Sequence, residues 1–578
     1  MAILMLVGAL RVAAAPLIME LRTTWDGAPI HLDGIRYQTP DREAFSITRF
    51  SMLLSNFAVQ QVSGAWQEQP DVVAWIDASA RLTTFSLGEL PAGTYRALRF
   101  DVGLSPEINH GDPTGYPDGH PLNPLTNRLH WDWQTGYIFM AVEGLIQERP
   151  NVLNGYVFHL ANDPNRTRIE LAMDLDASFP SRVSLDVDLQ RLFFGIRPIG
   201  FSKAGTSTHS RPEDSLAAAI KTNLATLFSV RRIVSAAPAA QAAPPKAALY
   251  LPAHPEPYRF TMRKTFPFPS LPLDNPLLKA RVELGRRLFA DTRLSGDGAI
   301  SCQSCHDPAR AFTDGLSRSV GTDGRSSPRN SMPLFNLAWK NHFFWDGRVS
   351  SLREQMRVPL QDHREMDAEL DVVLSALQRD PEMQAGFTAA FGSEGITDET
   401  LGLALENFQL TLVSSDSRFD RAMAGGDSLS AEERRGLELF FTEYEPRSGR
   451  LGADCFHCHG GALFTDQQFH NNGLEPVGFD RGRGDITGRR ADQNRFSTPS
   501  LRNVALTAPY MHDGRFDTLE EVIAHYNGPM HRSETLDPNL AKHPVQGLQL
   551  PAEDQQALVA FLRSLTDPQY RSDDRKAD

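Results

Sequence analysis

Cys302, Cys305 and His306 form one Cys-x-x-Cys-His, and Cys455, Cys458 and His459 form a second. At that spacing two thiols can bond to the vinyl groups of a haem while the adjacent imidazole binds its iron. The chain has four cysteines, and the two motifs use all of them. A disulfide within each motif is the plainer alternative, and zinc is another. Zinc asks for further Cys or His at finger spacing, and a redox Cys-x-x-Cys has no use for a following histidine twice over. The residues therefore imply two covalently attached c-type haems, with iron held by His306 and His459.

A second group of chemically capable residues lies upstream. His31, His110, His120, His130 and His159 precede residue 206, as do five of the seven tryptophans, and Trp131 and Trp133 stand beside His130. An aromatic core with hydrogen-bonded histidines accounts for each residue singly. Imidazoles without thiolate partners can equally hold copper.

The elements that must position these residues differ along the chain. Residues 17–205 carry short runs of period two, separated by Gly, Pro, Asn and Asp; 183–189 alternates apolar and polar strictly. That pattern predicts an N-terminal antiparallel β-sandwich. Residues 206–257 read as a helix (215–230) followed by a linker rich in Ala and Pro, extended and semi-rigid. From 258 to 578 apolar positions recur at helical spacing, at 277–289, 370–377, 400–412, 431–441, 519–526 and 552–565. This part is expected to be a mostly α, two-lobed dihaem domain, divided as 258–425 and 426–578, with Ser430 an N-cap.

Composition narrows the function. A net charge of −13 over 578 residues argues against nucleic acid and anionic membrane surfaces as partners. Haem attachment outside the cytosol implies a periplasmic chain. Residues 2–10 are apolar, and three alanines precede Pro16, so 1–16 is expected to be a signal-peptide remnant, with a buried strand as the alternative. No other run approaches the ~20 apolar residues of a membrane span.

Residues 45–56 and 91–100, with Trp131-Asp132-Trp133, Val142-Glu143-Gly144 and Phe158-His159-Leu160, resemble the MbnP family. That resemblance implies a copper-binding domain in which one tryptophan is oxidised to kynurenine. Trp131 and Trp133 are the candidates for that tryptophan, and His31, His130 and His159 for the copper ligands.

Residues 258–578 resemble the bacterial dihaem cytochrome c peroxidase superfamily, and within it the MauG and MbnH branch. The resemblance is carried by Phe344-Trp345-Asp346-Gly347-Arg348, then Leu352, Gln355, Pro359 and Glu365, and by the runs 498–503 and 507–514. It implies that Gln355, Pro359 and Glu365 shape the distal side of the first haem, Glu365 being its proton shuttle. It implies Trp345 as an electron relay between haems, a core aromatic being the alternative. It further implies a Ca²⁺ held by Asn330 and the backbone carbonyls of Thr507 and Pro509, oxygen donors that suit a hard cation. No histidine occurs from 307 to 340, where a six-coordinate peroxidase needs a displaceable one, so the first haem reads as open to peroxide or dioxygen. Tyr526 falls where the MauG branch places a tyrosine ligand to the second haem; Met511 and His525 are its rivals. The expected function is peroxide- or dioxygen-driven oxidation of a tryptophan in the chain's own first domain, linked to copper binding. The alternatives are peroxide reduction with electrons from a small redox donor, and a copper carrier whose haems only relay electrons.

Overall fold

The computed structural model describes residues 14–571 except 33, 81, 118, 132–135, 150–151, 209, 212, 236–248, 264–265, 270, 446–449 and 477–479. The described residues divide into two compact units, one of residues 14–113 and 119–235 and the other of residues 114–117 and 249–571.

Two sheets make the first unit. One places Ala14–Trp25 between Ser181–Asp188 and Leu82–Pro91, with Phe228–Ser235 outermost. The other runs Thr167–Asp176, Thr94–Val102, Arg49–Gln61, Gly136–Arg149, Val152–Ala161 and Ser207–Thr208. Alternation works as the sequence suggests: Val183, Leu185 and Val187 are buried while Arg182 faces solvent. Each such buried side chain stabilises the sandwich by about 1.5–3 kcal/mol. Inward residues of both sheets, among them Leu17, Met19, Phe50, Leu98, Phe100 and Val142, share one core.

The structure differs from expectation in three respects. Ala14–Trp25 pairs with Ser181–Asp188 in parallel, so the sandwich is mixed rather than wholly antiparallel. Residues 14–16, expected within a signal remnant, open that strand, with Ala15 and Leu17 buried; residues 1–13 lie outside the described residues. Between the helix Ser215–Leu224 and the linker runs another strand, Phe228–Ser235, whose backbone bonds hold it to the first unit's sheet.

The second unit is built from short helices, and two pairs of them set its plan. Lys279–Phe289 lies on Asp398–Leu410 at Gly285, where a Cβ would fall 2.0 Å from the Ala404 carbonyl. Ala431–Phe441 lies on Ala552–Ser564 at Gly436, where a Cβ would fall 1.9 Å from the Ala557 carbonyl. Only glycine permits either approach. One helix of each pair leads into a Cys-x-x-Cys-His. Ser430 caps Ala431–Phe441 by accepting from the Glu433 amide while Glu433 returns a bond to Ser430, so a single turn supplies both orphan ends. Among the described residues no helix is long and apolar enough to cross a membrane.

Candidate functional site

Cys302, Cys305 and His306 line one open cavity of about 1320 Å³, and Trp345, Gln355, Pro359 and Glu365 line it with them. All four cysteines are thiols, not disulfides. Burial pushes Cys302 up to about 12 and Cys305 to about 11. The His306 Nδ1 lies 3.2 Å from the Phe312 carbonyl. That bond needs the proton on Nδ1 and leaves Nε2 as the lone-pair nitrogen, the arrangement of a metal-ligating imidazole. Desolvation also lowers the His306 pKa, which favours the neutral, ligating ring. Two thiols, an aligned imidazole and a large apolar cavity fit a c-type haem.

Across that cavity stand the helical turns Leu352–Gln355 and Arg357–Gln361. Ser351 caps the first through the Glu354 amide. Glu365 is largely buried, and desolvation first, then Asp362, raise its pKa above the usual carboxylate range. Its backbone is pinned by the Thr322 amide at 2.8 Å. The Trp345 indole donates to the Asn330 carbonyl at 2.9 Å, and the Trp345 carbonyl accepts from Ser497 at 2.7 Å. The ring is thus fixed to segments of both haem-motif halves. Asn330 donates its Nδ2 to the Leu316 carbonyl, which turns its amide oxygen toward other partners, and its backbone amide donates to His512.

The second motif is made the same way. His459 Nδ1 lies 3.2 Å from the Phe464 carbonyl, and desolvation lowers its pKa to about 4. Tyr526, on the helix Leu519–Asn527, is desolvated to a pKa of about 12. Asn472 gathers all three rival ligands. Its Nδ2 donates to the Tyr526 hydroxyl at 3.2 Å and approaches the Met511 sulfur at 3.6 Å, and its carbonyl faces His525 Nε2 at 3.1 Å. The His525 ring is tied up donating to the Asn472 carbonyl, so Tyr526 and Met511 are the residues whose ligating atoms stay together on the Asn472 side chain.

The two halves repeat each other residue by residue. Asn336 and Asn503 both adopt left-handed backbone, with φ of 59° and 58°. Phe343 bridges Val349 as Tyr510 bridges Phe516, around Asp346-Gly347-Arg348 and Asp513-Gly514-Arg515. Ser351 caps one helix as Thr518 caps the other. In this register Trp345 corresponds to His512, and Pro359 corresponds to Tyr526. Where the second half carries a phenol, the first carries a ring with no ligating atom.

Residues 279–428 match the family described as di-haem cytochrome c peroxidase, and residues 14–210 match MbnP. The methylamine utilization protein MauG of Methylorubrum extorquens is 39% identical over 311 residues, covering 53% of this chain and 83% of that protein. The chain belongs to the di-haem cytochrome c peroxidase family. The cytochrome c551 peroxidase of Pseudomonas aeruginosa is 33% identical over 307 residues, covering 51% of this chain and 81% of its own length. Among solved structures, a MauG-like protein associated with microbial copper homeostasis is 36% identical, covering 55% of this chain and 99% of that one, with a TM-score of 0.49. The chain is thus a haem-dependent oxidoreductase of the di-haem peroxidase superfamily with an MbnP unit fused ahead of it.

In the MbnP unit the candidate residues are dispersed. His159, buried on Val152–Ala161, places Nε2 2.9 Å from Glu143, which also holds Arg49 at 2.7 Å. His130 packs edge-on against Tyr137 with ring centres 4.8 Å apart. His31 is exposed, and the Tyr37 hydroxyl bonds its backbone. Among the described residues these three histidines do not gather into one ligand cluster. Trp131 pairs through its backbone with Gly136, and Trp133 lies outside the described residues.

In the peroxidase-family unit two buried charge networks flank the second motif, and periodicity gives no sign of them. His470 sits between Asp466 at 2.7 Å and Asp537 at 2.5 Å. Desolvation opposes its charge, yet the two carboxylates raise its pKa to about 10. Asp454 holds Lys542 at 3.1 Å and His543 at 2.8 Å, while Glu443 binds the same ammonium and His457 lies 3.5 Å from Asp454. His457 alone could have drawn notice, being inside the motif; its partners Asp454, Glu443 and Lys542 lie 3, 14 and 85 residues away in the chain.

Proposed function

We propose that this chain uses peroxide or dioxygen to oxidise a tryptophan of its own MbnP unit to kynurenine, and that copper binding in that unit is linked to the change. One observation carries the reading: a MauG-like catalytic unit and an MbnP unit occur on a single chain. A tether raises the local concentration of substrate around the catalytic unit, so a weak contact suffices.

When bound at Cys302, Cys305 and His306, the first haem supplies the redox centre at which peroxide is reduced. The chain's own residues prepare that event. Glu365, whose pKa burial raises, is the group placed to take a proton from one peroxide oxygen and return it to the departing one. Pro359 and Gln355 line the same cavity and would shape the approach of peroxide, and Pro359 offers no ligating atom. Tyr526 would offer the second haem an oxygen donor, which favours oxidised iron over reduced. Trp345, held by Asn330 and Ser497, is the relay between the halves. Asn330 Oδ1 and the carbonyls of Thr507 and Pro509 form a donor set suited to Ca²⁺, which would fix Asn330 and through it the indole.

The chemistry balances with two peroxides. Each delivers one oxygen atom to the indole C2–C3 bond and leaves as water; the bond opens to N-formylkynurenine. Water then releases formate to give kynurenine. His31, His130 and His159 are the imidazoles proposed for copper, in a periplasmic setting where haem attachment occurs, and copper would have to draw them together, since among the described residues they form no single cluster. A plain peroxidase reading, with a small redox donor, draws support from the cytochrome c551 peroxidase relative.

Peptide mass spectrometry of two-haem protein before and after peroxide tests the proposal. Conversion is expected at Trp131 or Trp133. Intact tryptophan at Trp25, Trp66, Trp75, Trp131 and Trp133, with rapid peroxide turnover on a reduced donor, would leave the peroxidase reading in its place.

A further inference from the structure

Four cationic side chains line the first-haem cavity: Arg329, Lys340, Arg348 and Arg364. Three are already committed. Arg329 holds Asp346 at 2.6 Å and Asp480 at 2.8 Å; Arg348 holds Asp346 at 3.0 Å; Arg364 holds Asp362 at 3.0 Å. Lys340 has no ion pair or side-chain hydrogen bond among the described residues. Desolvation alone acts on its ammonium, lowering the pKa to about 8.

Its placement is not loose. Lys340 closes the turn Leu337–Trp339 by donating its backbone amide to the Leu337 carbonyl at 3.0 Å, and the Trp339 indole is anchored on the Pro267 carbonyl at 2.7 Å. The side chain also lines a smaller cavity of about 490 Å³ shared with Leu463, Thr465 and Gln467. A desolvated ammonium without a counter-charge is costly, and the cost disappears when a ligand brings an anion to it. A haem attached at Cys302 and Cys305 carries two carboxylates on the edge away from its vinyl groups.

We infer that Lys340 is the seat of one carboxylate of the first haem, and that it tunes that haem's potential by neutralising the charge. The inference rests on the haem assignment above and adds a positioning residue to it. Removing the ammonium leaves a bare carboxylate near the iron, and negative charge favours the ferric state.

The test is spectroelectrochemical titration of the full-length two-haem protein, with covalent haem counted by pyridine haemochrome. Lys340→Met is expected to retain two haems and shift the first haem's ferric/ferrous equilibrium about tenfold toward ferric, a fall of about 59 mV for one electron. Lys340→Arg restores the parent potential. Exchanging phosphate for chloride leaves the parent potential unchanged, because the carboxylate is part of the bound haem. An unshifted potential in Lys340→Met with both haems attached overturns the inference and leaves the haem assignment standing. A parent potential that follows the buffer anion overturns it in favour of a free anion at Lys340. A parent chain without covalent haem overturns the assignment beneath it.

Discussion

Two side chains carry most of the difference between the haem sites. Glu365 is a carboxyl whose pKa burial raises, placed on the wall of the cavity that holds His306. In the proposed role of proton shuttle, its general acid–base share of O–O cleavage is about 10²–10⁴-fold. Stopped-flow reaction of Glu365→Gln with peroxide should therefore be slower by that factor, with haem content unchanged. The acid limb of the parent's pH profile should lie above the ordinary carboxylate value of 4.5 and vanish in the variant. Tyr526 shares Asn472 with Met511, so geometry alone keeps both near the second motif. Tyr526→Phe should change the electron paramagnetic resonance signal of the second haem and raise its potential, while Met511→Leu leaves both as they were. The reverse result would assign the ligand to sulfur.

At the scale of elements, the second motif is held by charge as much as by packing. Lys542, nearly fully buried, is the common partner of Glu443 and Asp454. Against desolvation, Lys542 holds the Asp454 pKa well below the carboxylate range, and the two acids raise that of Lys542 in return. Removing one partner of a buried pair costs about 3–5 kcal/mol. Lys542→Met should lose that much in the denaturant unfolding of the second unit, and the first unit should be unaffected. The pH direction follows from the histidines. His470 is raised from 6.5 to about 10 and His457 to about 9. A histidine raised in the folded state contributes stability that is complete below its unfolded pKa and is lost as pH climbs through the folded one. Thermal stability of the second unit should thus decline from pH 6.5 to about 10, and less steeply in His470→Gln. The decline is measured by circular dichroism or calorimetry across that range.

For the whole molecule, fusion changes the kinetics. If the substrate is the chain's own first unit, tryptophan oxidation under excess peroxide is first order and its rate constant does not depend on protein concentration. Tenfold dilution should leave the mass-spectrometric time course unchanged. A time course that slows in proportion would mean that one chain oxidises another. The repeated plan of the second unit bears on the same scale. Gly285 against Ala404 and Gly436 against Ala557 make two equivalent cradles, and 343–359 and 510–526 deliver equivalent turns to each. The two halves follow one plan and differ at corresponding places, Pro359 against Tyr526 and Trp345 against His512.

The amino-acid sequence by itself determined the covalent anchors, because Cys-x-x-Cys-His is a local pattern whose spacing is set by a few bonds. It determined the change from strand to helix for a similar reason: periods of two and of helical repeat are written in neighbouring residues. The helix starts, such as Ser430, were equally local. What the tertiary structure alone decided depends on residues that meet from far apart. Asn472 bringing Tyr526 and Met511 together is one case; Lys542 between Glu443 and Asp454 is another. The parallel pairing of Ala14–Trp25 with Ser181–Asp188 belongs here too, since alternation states which face is buried and not which strand lies alongside. Lys340 reads in sequence as one more lysine. Only the cavity wall shows that three neighbouring arginines have carboxylates and that, among the described residues, this ammonium has none.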